Sequence, residues 1–433
     1  MKEKQKDYLA GLYKFKAGEE DSLKNKDTEI SYDPERPMSF EEIKRLDEKY
    51  LLQTYARMPV SFLYGAGEFL YDTEGKEYID FLSGIAVNSL GHAHSDLIAA
   101  LNRQADMLWH TSNLFFNAQQ ALLARALVEI SFNSKVFFCN SGTEANECAL
   151  KTARAFGQKY NKQKILALKH GFHGRTFGSM SLTGQSKVRD GFGALLENID
   201  FVEPNNITDL QNKFDSDVCG LFLEPILGEG GVLPLTDEFL SEAKKLCEEK
   251  EALLVFDEIQ TGIGRTGKYF AYQHSNVTPD ILTIAKGLGG GVPIGAVLIA
   301  DKYCSLLESG SHGSTFGGGH LATAVAYEVL RSIESAKILE NVQGMSDYLF
   351  SHLENIKSGY PDTVKEIRGK GLLIGIVLRE DIGARPLVAK ALEKGLVLGR
   401  AGENVLRLAP PLILRMPTAE RALEKIEDLI KEI

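Results

Sequence analysis

The chain has 433 residues, a net charge of −10, 44% hydrophobic and 25% charged residues. That length supports a large buried core and two domains, and the composition is that of a globular protein. An acidic chain without a long basic run is poorly suited to gripping a nucleic-acid backbone. Its apolar stretches, such as Gly371–Leu378, fall far short of the roughly 20 residues that a membrane-spanning helix needs. The five cysteines, Cys139, Cys148, Cys219, Cys247 and Cys304, are scattered and form no C-x-x-C pair. A zinc site or a disulfide framework is therefore not expected, and a reducing cytoplasm is.

Residues 1–38 form a polar extension with acids and bases intermixed and no apolar signal core. Ser39 followed by Glu42 is a capping-box pattern, and Ile43, Leu46, Tyr50 and Leu51 then recur at helical spacing. A strand pair is expected at Phe69–Tyr71 and Glu77–Phe81 around an Asp72–Lys76 turn. From Ser83 to Tyr327, apolar strand-like runs alternate with helical patterns. The clearest runs are Val136–Cys139, Ile165–Leu168, Gly220–Leu223, Ala252–Phe256, Ile281–Ala285 and Ala296–Ile299. Continuous apolar runs in such alternation predict a mostly parallel sheet covered by helices on both faces. Beyond Tyr327 the pattern becomes α+β. A strand-like stretch at Val364–Leu378 is broken by glycines, a helix over Pro386–Lys394 is closed by Gly395, a strand covers Val405–Leu408, and an amphipathic helix ends the chain. The expected domains are a large one at 85–327 and a smaller α+β one at 39–84 and 328–433.

Four runs carry chemistry. The apolar run from Ala252 delivers Asp257 and Glu258 at its C-terminal end, the edge beyond which open α/β sheets bind ligands. A carboxylate there can hold a protonated ring nitrogen. The run from Pro279 ends in Lys286 and then glycines. A lysine at a buried strand end shifts its pKa readily, which suits Schiff-base chemistry. In the third run Asn140-Ser-Gly-Thr-Glu-Ala-Asn146 turns from a strand into a helix, which creates an anion site at the helix N-terminus. The fourth, Gly171-Phe-His173-Gly-Arg175-Thr176, offers flat rings for stacking and a guanidinium for a carboxylate. Singly, each has a plain structural alternative: an ion pair, a surface lysine or a helix cap. Gly262-Ile-Gly264-Arg-Thr-Gly267 matches G-x-G-x-x-G, but it does not sit directly between a strand and a helix, so a dinucleotide site is not expected.

Taken in order, the runs NSGTEAN, GFHGRT, EPILGEGGV, LLVFDEIQTGIGRTG, ILTIAKGLGGGVPIGA, STFGG and RLAPPL resemble the class III, or ornithine-type, aminotransferases. These are fold-type-I pyridoxal-phosphate enzymes, and the likeness runs from about Ser39 to the end of the chain. Within the family, the runs Gly84–His92 and His110–Leu114 are most similar to acetylornithine-type members. The resemblance implies pyridoxal 5′-phosphate bound to Lys286, with Asp257 on the ring nitrogen, Gln260 near the ring hydroxyl and Phe172 packed on the ring. Gly142 and Thr143 would hold the phosphate. Thr315 would reach the phosphate of a neighbouring subunit in a homodimer, with Ser314 near that subunit's substrate. Arg175 would bind a substrate carboxylate, and Glu229 and Arg407 would open and close to admit 2-oxoglutarate. The implied donor is N2-acetyl-L-ornithine or a similar omega-amino acid. Ornithine, succinylornithine, 4-aminobutyrate or putrescine as donor stay open at this stage, as do an aminomutase and a non-catalytic pyridoxal-phosphate sensor. Leu227 and Gly319-His320 depart from the usual family pattern.

Overall fold

The computed structural model describes residues 37–433. The polar extension expected at 1–38 therefore lies outside the described residues except for its last two positions. The chain divides into two units, one running through Gly65 and including Phe69–Tyr78, the other comprising Ala66–Glu68 and Ile79–Ile433.

In the first unit, α1 (Phe40–Tyr50) starts with the expected capping box. Ser39 Oγ accepts from the Glu42 amide, and the Glu42 carboxylate accepts from the Ser39 amide at 2.8 Å. Strands β1 (Phe62–Ala66), β2 (Phe69–Asp72) and β3 (Glu77–Asp80) follow, with Ala66 of β1 and Ile79 and Asp80 of β3 counted in the second unit. The turn between β2 and β3 is fixed by Asp72, whose Oδ1 accepts from the Glu74 and Lys76 amides, both at 2.9 Å. Such a carboxylate cap is the ordinary reason for aspartate in a turn.

The second unit is built on a seven-stranded sheet. Its strands are β4 (Ser134–Cys139), β5 (Lys164–Leu168), β6 (Ile199–Val202), β7 (Val218–Leu223), β8 (Leu253–Asp257), β9 (Ile281–Ile284) and β10 (Gly295–Ala300). Their spatial order is β4-β10-β9-β8-β7-β5-β6. All pair in parallel except β10, which runs antiparallel to β9 and β4. Each expected strand is present. β6 was not expected, because Ile199-Asp-Phe-Val is short, carries an acid, and lies at the sheet edge. The central strands β7, β8 and β9 are buried at every position, as continuous apolar runs covered on both faces must be. Helix α2 (Gly142–Tyr160) presents Ala145, Cys148, Ala149, Ala153 and Phe156 to this core.

A second sheet is antiparallel. It comprises β11 (Val364–Lys370), β12 (Leu373–Leu378), β13 (Gly399–Ala401) and β14 (Val405–Leu408), in the order β11-β12-β14-β13. The stretch Val364–Leu378, read as one interrupted strand, is a hairpin. Gly371 turns it with φ +61°, and a Cβ there would lie 2.5 Å from Thr266 backbone. The last helix, Met416–Lys431, buries Ala419, Ala422, Leu423, Ile426 and Ile430 along one stripe. Among the described residues no helix is long and apolar enough to cross a membrane.

Candidate active site

A cavity of about 470 Å³ opens beyond the C-terminal ends of β8 and β9. Asp257 ends β8. Lys286 stands two residues past β9, and Asp257 is in register with Thr283 of that strand. The two residues thus reach the same cavity because they leave adjacent parallel strands at nearly the same height. The expected edge of the sheet is where the chemistry-bearing residues gather.

Asp257 is buried and its lone pairs are mostly engaged. Oδ2 accepts from Asn146 Nδ2 and from His173 Nδ1, both at 2.7 Å, and Oδ1 accepts from the Ile259 amide at 3.0 Å. A carboxylate has about four acceptor sites, so one remains for a donor in the cavity. Asn146 also donates to the His173 carbonyl and accepts from Thr283 Oγ1, so the carboxylate is held from two elements. Burial alone would lower the His173 pKa. The hydrogen bond and charge of Asp257, with the charge of Glu224, outweigh it and leave the pKa raised. His173 therefore backs Asp257 with its imidazole buried, while the flanking Phe172 also lines the cavity.

Lys286 takes a left-handed backbone, φ +40°, rare for a residue with a side chain. Burial lowers its pKa, and Arg407 adds to the effect, against Glu229, Asp257 and Glu224, which raise it. A lowered lysine pKa favours the free amine that bonds and moves protons. Glu229 lines the cavity, whereas Arg407 is buried and is not among the lining residues. Their side chains form an ion pair, and Arg407 Nη1 also donates to Gln260 Oε1 at 3.1 Å. Burial pushes the Glu229 carboxyl up, but Arg407 and Lys286 pull it below its ordinary value. A Cβ at Gly228 would fall 2.2 Å from Gln260 Oε1, so glycine lets that amide lie against the backbone.

On a further wall, Ser141, Gly142 and Thr143 begin the 19-residue helix α2 and line the cavity. The first amides of a helix lack intrahelical partners and favour an anion. The Thr143 hydroxyl faces away from this duty in part, being 2.9 Å from Thr176 Oγ1 and 2.7 Å from Ser179 Oγ. Arg175 also lines the cavity, with its guanidinium 5.7 Å from the Phe172 ring centre.

The structure does not bring every candidate together. Ser314 and Thr315 line a separate cleft with Glu144, Glu147 and Phe316. Of the two acids ending the β8 run, only Asp257 faces the cavity. Glu258 instead accepts from the Ala271 and Tyr272 amides and from Thr261 Oγ1, with burial pushing its carboxyl up to about 7. The loop from Gly262 to Gly267 leads to no regular α-helix, and its Arg265 is buried against the Leu372 and Pro410 carbonyls. Leu227 is buried and does not line the cavity; Gly319 is the N-cap of the helix His320–Ser335.

Two residues of the site carry roles that the sequence reading did not assign. Glu224 lines the cavity and accepts from the Phe172 amide at 2.8 Å and the Gly228 amide at 3.1 Å. Burial pushes its carboxyl up to about 7. The signal was available, because Glu224 ends the apolar run Gly220–Leu223 just as Asp257 ends its own. Asn146 was legible too, as an amide on the apolar stripe of α2.

Comparison with known proteins agrees with this geometry. Residues 52–430 match the family model described as aminotransferase class-III. An acetylornithine aminotransferase of Caldanaerobacter subterraneus is 46% identical over 391 residues, covering 89% of this chain and 98% of that protein. One from Aquifex aeolicus is 44% identical, covering 88% and 100%. Among solved structures, the ornithine aminotransferase of Toxoplasma gondii superposes with a TM-score of 0.88 at 34% identity, over 92% of this chain and 96% of that one. The N-acetylornithine aminotransferase of Stenotrophomonas maltophilia gives 0.77 at 36% identity, over 90% and 98%. With a strand-end carboxylate, a strand-end lysine and a helix N-terminus on one cavity, and a family model that spans nearly the whole chain, this protein belongs to the class-III aminotransferases.

Proposed function

We propose that this chain uses pyridoxal 5′-phosphate to move the terminal amino group of N2-acetyl-L-ornithine to 2-oxoglutarate. The products are L-glutamate and a semialdehyde, and the place of the reaction is arginine biosynthesis in the cytoplasm. The observation that carries this reading is the convergence of Asp257, Lys286 and the α2 N-terminus on one cavity. The similarity to acetylornithine aminotransferases supports the choice of donor. In the same reading residues 85–327 form the cofactor-binding domain, and 39–84 with 328–433 the smaller one.

The residues fit the cofactor by their chemistry. Asp257 has one acceptor site left for a ring N–H, the first amides of α2 suit a phosphate, and Lys286 supplies an amine. When bound, the cofactor supplies an electron sink for the bonding pair left as the substrate carbon loses its proton. Gly142 and Thr143 would hold the phosphate, Phe172 would cover the ring, and Gln260 would serve the ring hydroxyl. Asp257, fixed by His173 and Asn146, keeps a proton on the ring nitrogen. Lys286 holds the cofactor at rest. Once the donor amine takes its place, the Lys286 amine would be free to accept the proton from the substrate carbon. The test is a visible spectrum of the purified protein before and after adding each candidate amine. N2-acetyl-L-ornithine is expected to shift the band most efficiently, and 2-oxoglutarate to restore it. A larger kcat/KM for ornithine, succinylornithine, 4-aminobutyrate or putrescine would reassign the donor.

Two carboxylate sites account for two unlike substrates. Arg175 holds the donor's α-carboxylate and then the far carboxylate of 2-oxoglutarate. Arg407 serves only the acceptor's α-carboxylate, and Glu229 masks it in the donor half. In this reading the Arg407–Glu229 ion pair is the masked arrangement. Arg407→Ala is accordingly expected to weaken the 2-oxoglutarate half-reaction by about 30-fold or more, as for a lost buried charge contact. The donor half should change far less. Single-turnover spectra of each half decide this, and equal losses would mean that the pair is a fixed structural one.

The active unit in this reading is a homodimer with shared sites. Asn113 donates to the carbonyls of Ser314 and Gly317, which ties the Thr315 loop to a segment whose Trp109, Leu114, Phe115 and Phe116 are exposed. Exposed apolar surface of this kind marks an interface. Thr315 of one protomer then completes the phosphate site of the other. Mixing Lys286→Ala with Thr315→Ala protein should restore activity above the sum of the two, because a mixed dimer regains one intact site. A fully active monomer in sedimentation would refute the shared site.

A further inference from the structure

Arg175 is exposed, yet the backbone beside it is fastened from below. The Arg175 and Thr176 amides both donate to Thr143 Oγ1, each at 3.3 Å. That hydroxyl lies within hydrogen-bond distance of Thr176 Oγ1 and Ser179 Oγ, which are themselves 2.6 Å apart. Ser179 Oγ also lies 3.1 Å from the Thr143 carbonyl. The Thr143 carbonyl only accepts and takes the Ser179 proton, and a second group that only accepts fixes the direction at Thr176. Glu147 is that group. Its Oε1 accepts from Thr176 Oγ1 at 2.5 Å and from the Ser179 amide at 3.1 Å.

The packing around this chain is close. Gly174 has φ +139°, and a Cβ there would fall 2.2 Å from Thr143 Oγ1. A Cβ at Gly178 would fall 2.2 Å from Glu147 Oε2. Glycines therefore let the hydroxyl and the carboxylate lie directly against the backbone on both sides of Arg175. Thr143 and Glu147 are four residues apart on α2, hence neighbours on one face of it. The helix that offers its N-terminus to the cavity thus also anchors the arginine loop.

We infer that Glu147, which does not itself line the cavity, is a positioning residue that sets Arg175 for substrate carboxylates through the Thr176, Ser179 and Thr143 hydroxyls. The inference rests on the reading of Arg175 as the carboxylate clamp. It makes the clamp and the α2 N-terminus one rigid piece, so that a substrate carboxylate meets an arginine already in place.

The test uses the holoenzyme, four single variants and one double variant. Glu147→Ala should raise KM for both the donor and 2-oxoglutarate by about tenfold, the scale of a lost charged hydrogen bond, with a smaller fall in kcat. Glu147→Gln keeps an acceptor oxygen and should recover most of the loss. Thr176→Val, at an exposed position, breaks the same link and should reproduce the KM pattern even if Glu147→Ala fails to fold. In an Arg175→Ala background Glu147→Ala should add under about twofold, because coupled residues are not additive. The cofactor dissociation constant, titrated into apoenzyme, should move much less than KM. A full additional loss on top of Arg175→Ala, or an equal rise in the cofactor constant, would overturn the positioning role. So would unchanged KM in Glu147→Ala and Thr176→Val beside a damaging Arg175→Ala. If Arg175→Ala itself leaves both KM values unchanged, the clamp reading fails, and this inference with it.

Discussion

Lys286→Ala is expected to lose both half-reactions, with turnover falling on the order of 10⁴-fold or more, because one side chain holds the cofactor and moves the proton. Two features of the structure single out this lysine. It is delivered by a strand adjacent to the Asp257 strand, and its pKa is lowered by burial, with Arg407 adding to the effect against Glu229 and Asp257. Borohydride should fix the cofactor covalently in the wild-type protein, and peptide mapping should find it on Lys286. A label on any other lysine would dismiss the assignment. The variant should stay folded, since alanine removes only a buried amine and its stem and leaves the strand intact.

Asp257→Asn is expected to keep the cofactor and lose turnover by about 10²–10³-fold, the scale seen when a preorganised electrostatic partner is removed. The reason lies in the hydrogen-bond inventory. Oδ2 takes two donors and Oδ1 takes the Ile259 amide. An amide has one acceptor oxygen. If that oxygen keeps Asn146 and His173 satisfied, the new NH₂ faces the Ile259 amide and the cavity, where an acceptor is needed. If it turns round, two donors confront a donor. Either way the cavity loses the acceptor that favours a protonated ring nitrogen. Some stability, about 1–3 kcal/mol for an unsatisfied buried group, should be lost as well. Unchanged turnover with retained cofactor would remove Asp257 from this role. Thermal melting separates the chemical loss from the structural one.

These two residues were legible because the signal for them is local. A short continuous apolar run bounded by turn residues reads as a strand covered on both faces, and the residue that ends it emerges at the sheet edge. The same rule read the helix start after Val136–Cys139. It would also have read Glu224, which ends the Gly220–Leu223 run and holds the Phe172 and Gly228 amides together. The hairpin at Val364–Leu378 was half legible. Its glycines marked a break, but only the approach of Thr266 backbone to Gly371 shows why the chain turns there.

The sequence by itself determined the elements whose causes lie within a few residues: the Ser39 capping box, the Asp72 turn, the buried strands, and the strand-end positions of Asp257 and Lys286. Tertiary structure alone decided which polar groups face one another. Asn146 meets Asp257 across 111 residues, Arg407 meets Glu229 across 178, and Glu147 reaches Thr176 across 29. It also decided that Glu258, beside Asp257 in the chain, turns away to cap Ala271 and Tyr272. Successive strand residues point to opposite sides, so neighbours in sequence part company, while residues far apart converge wherever the sheet order brings their strand ends together.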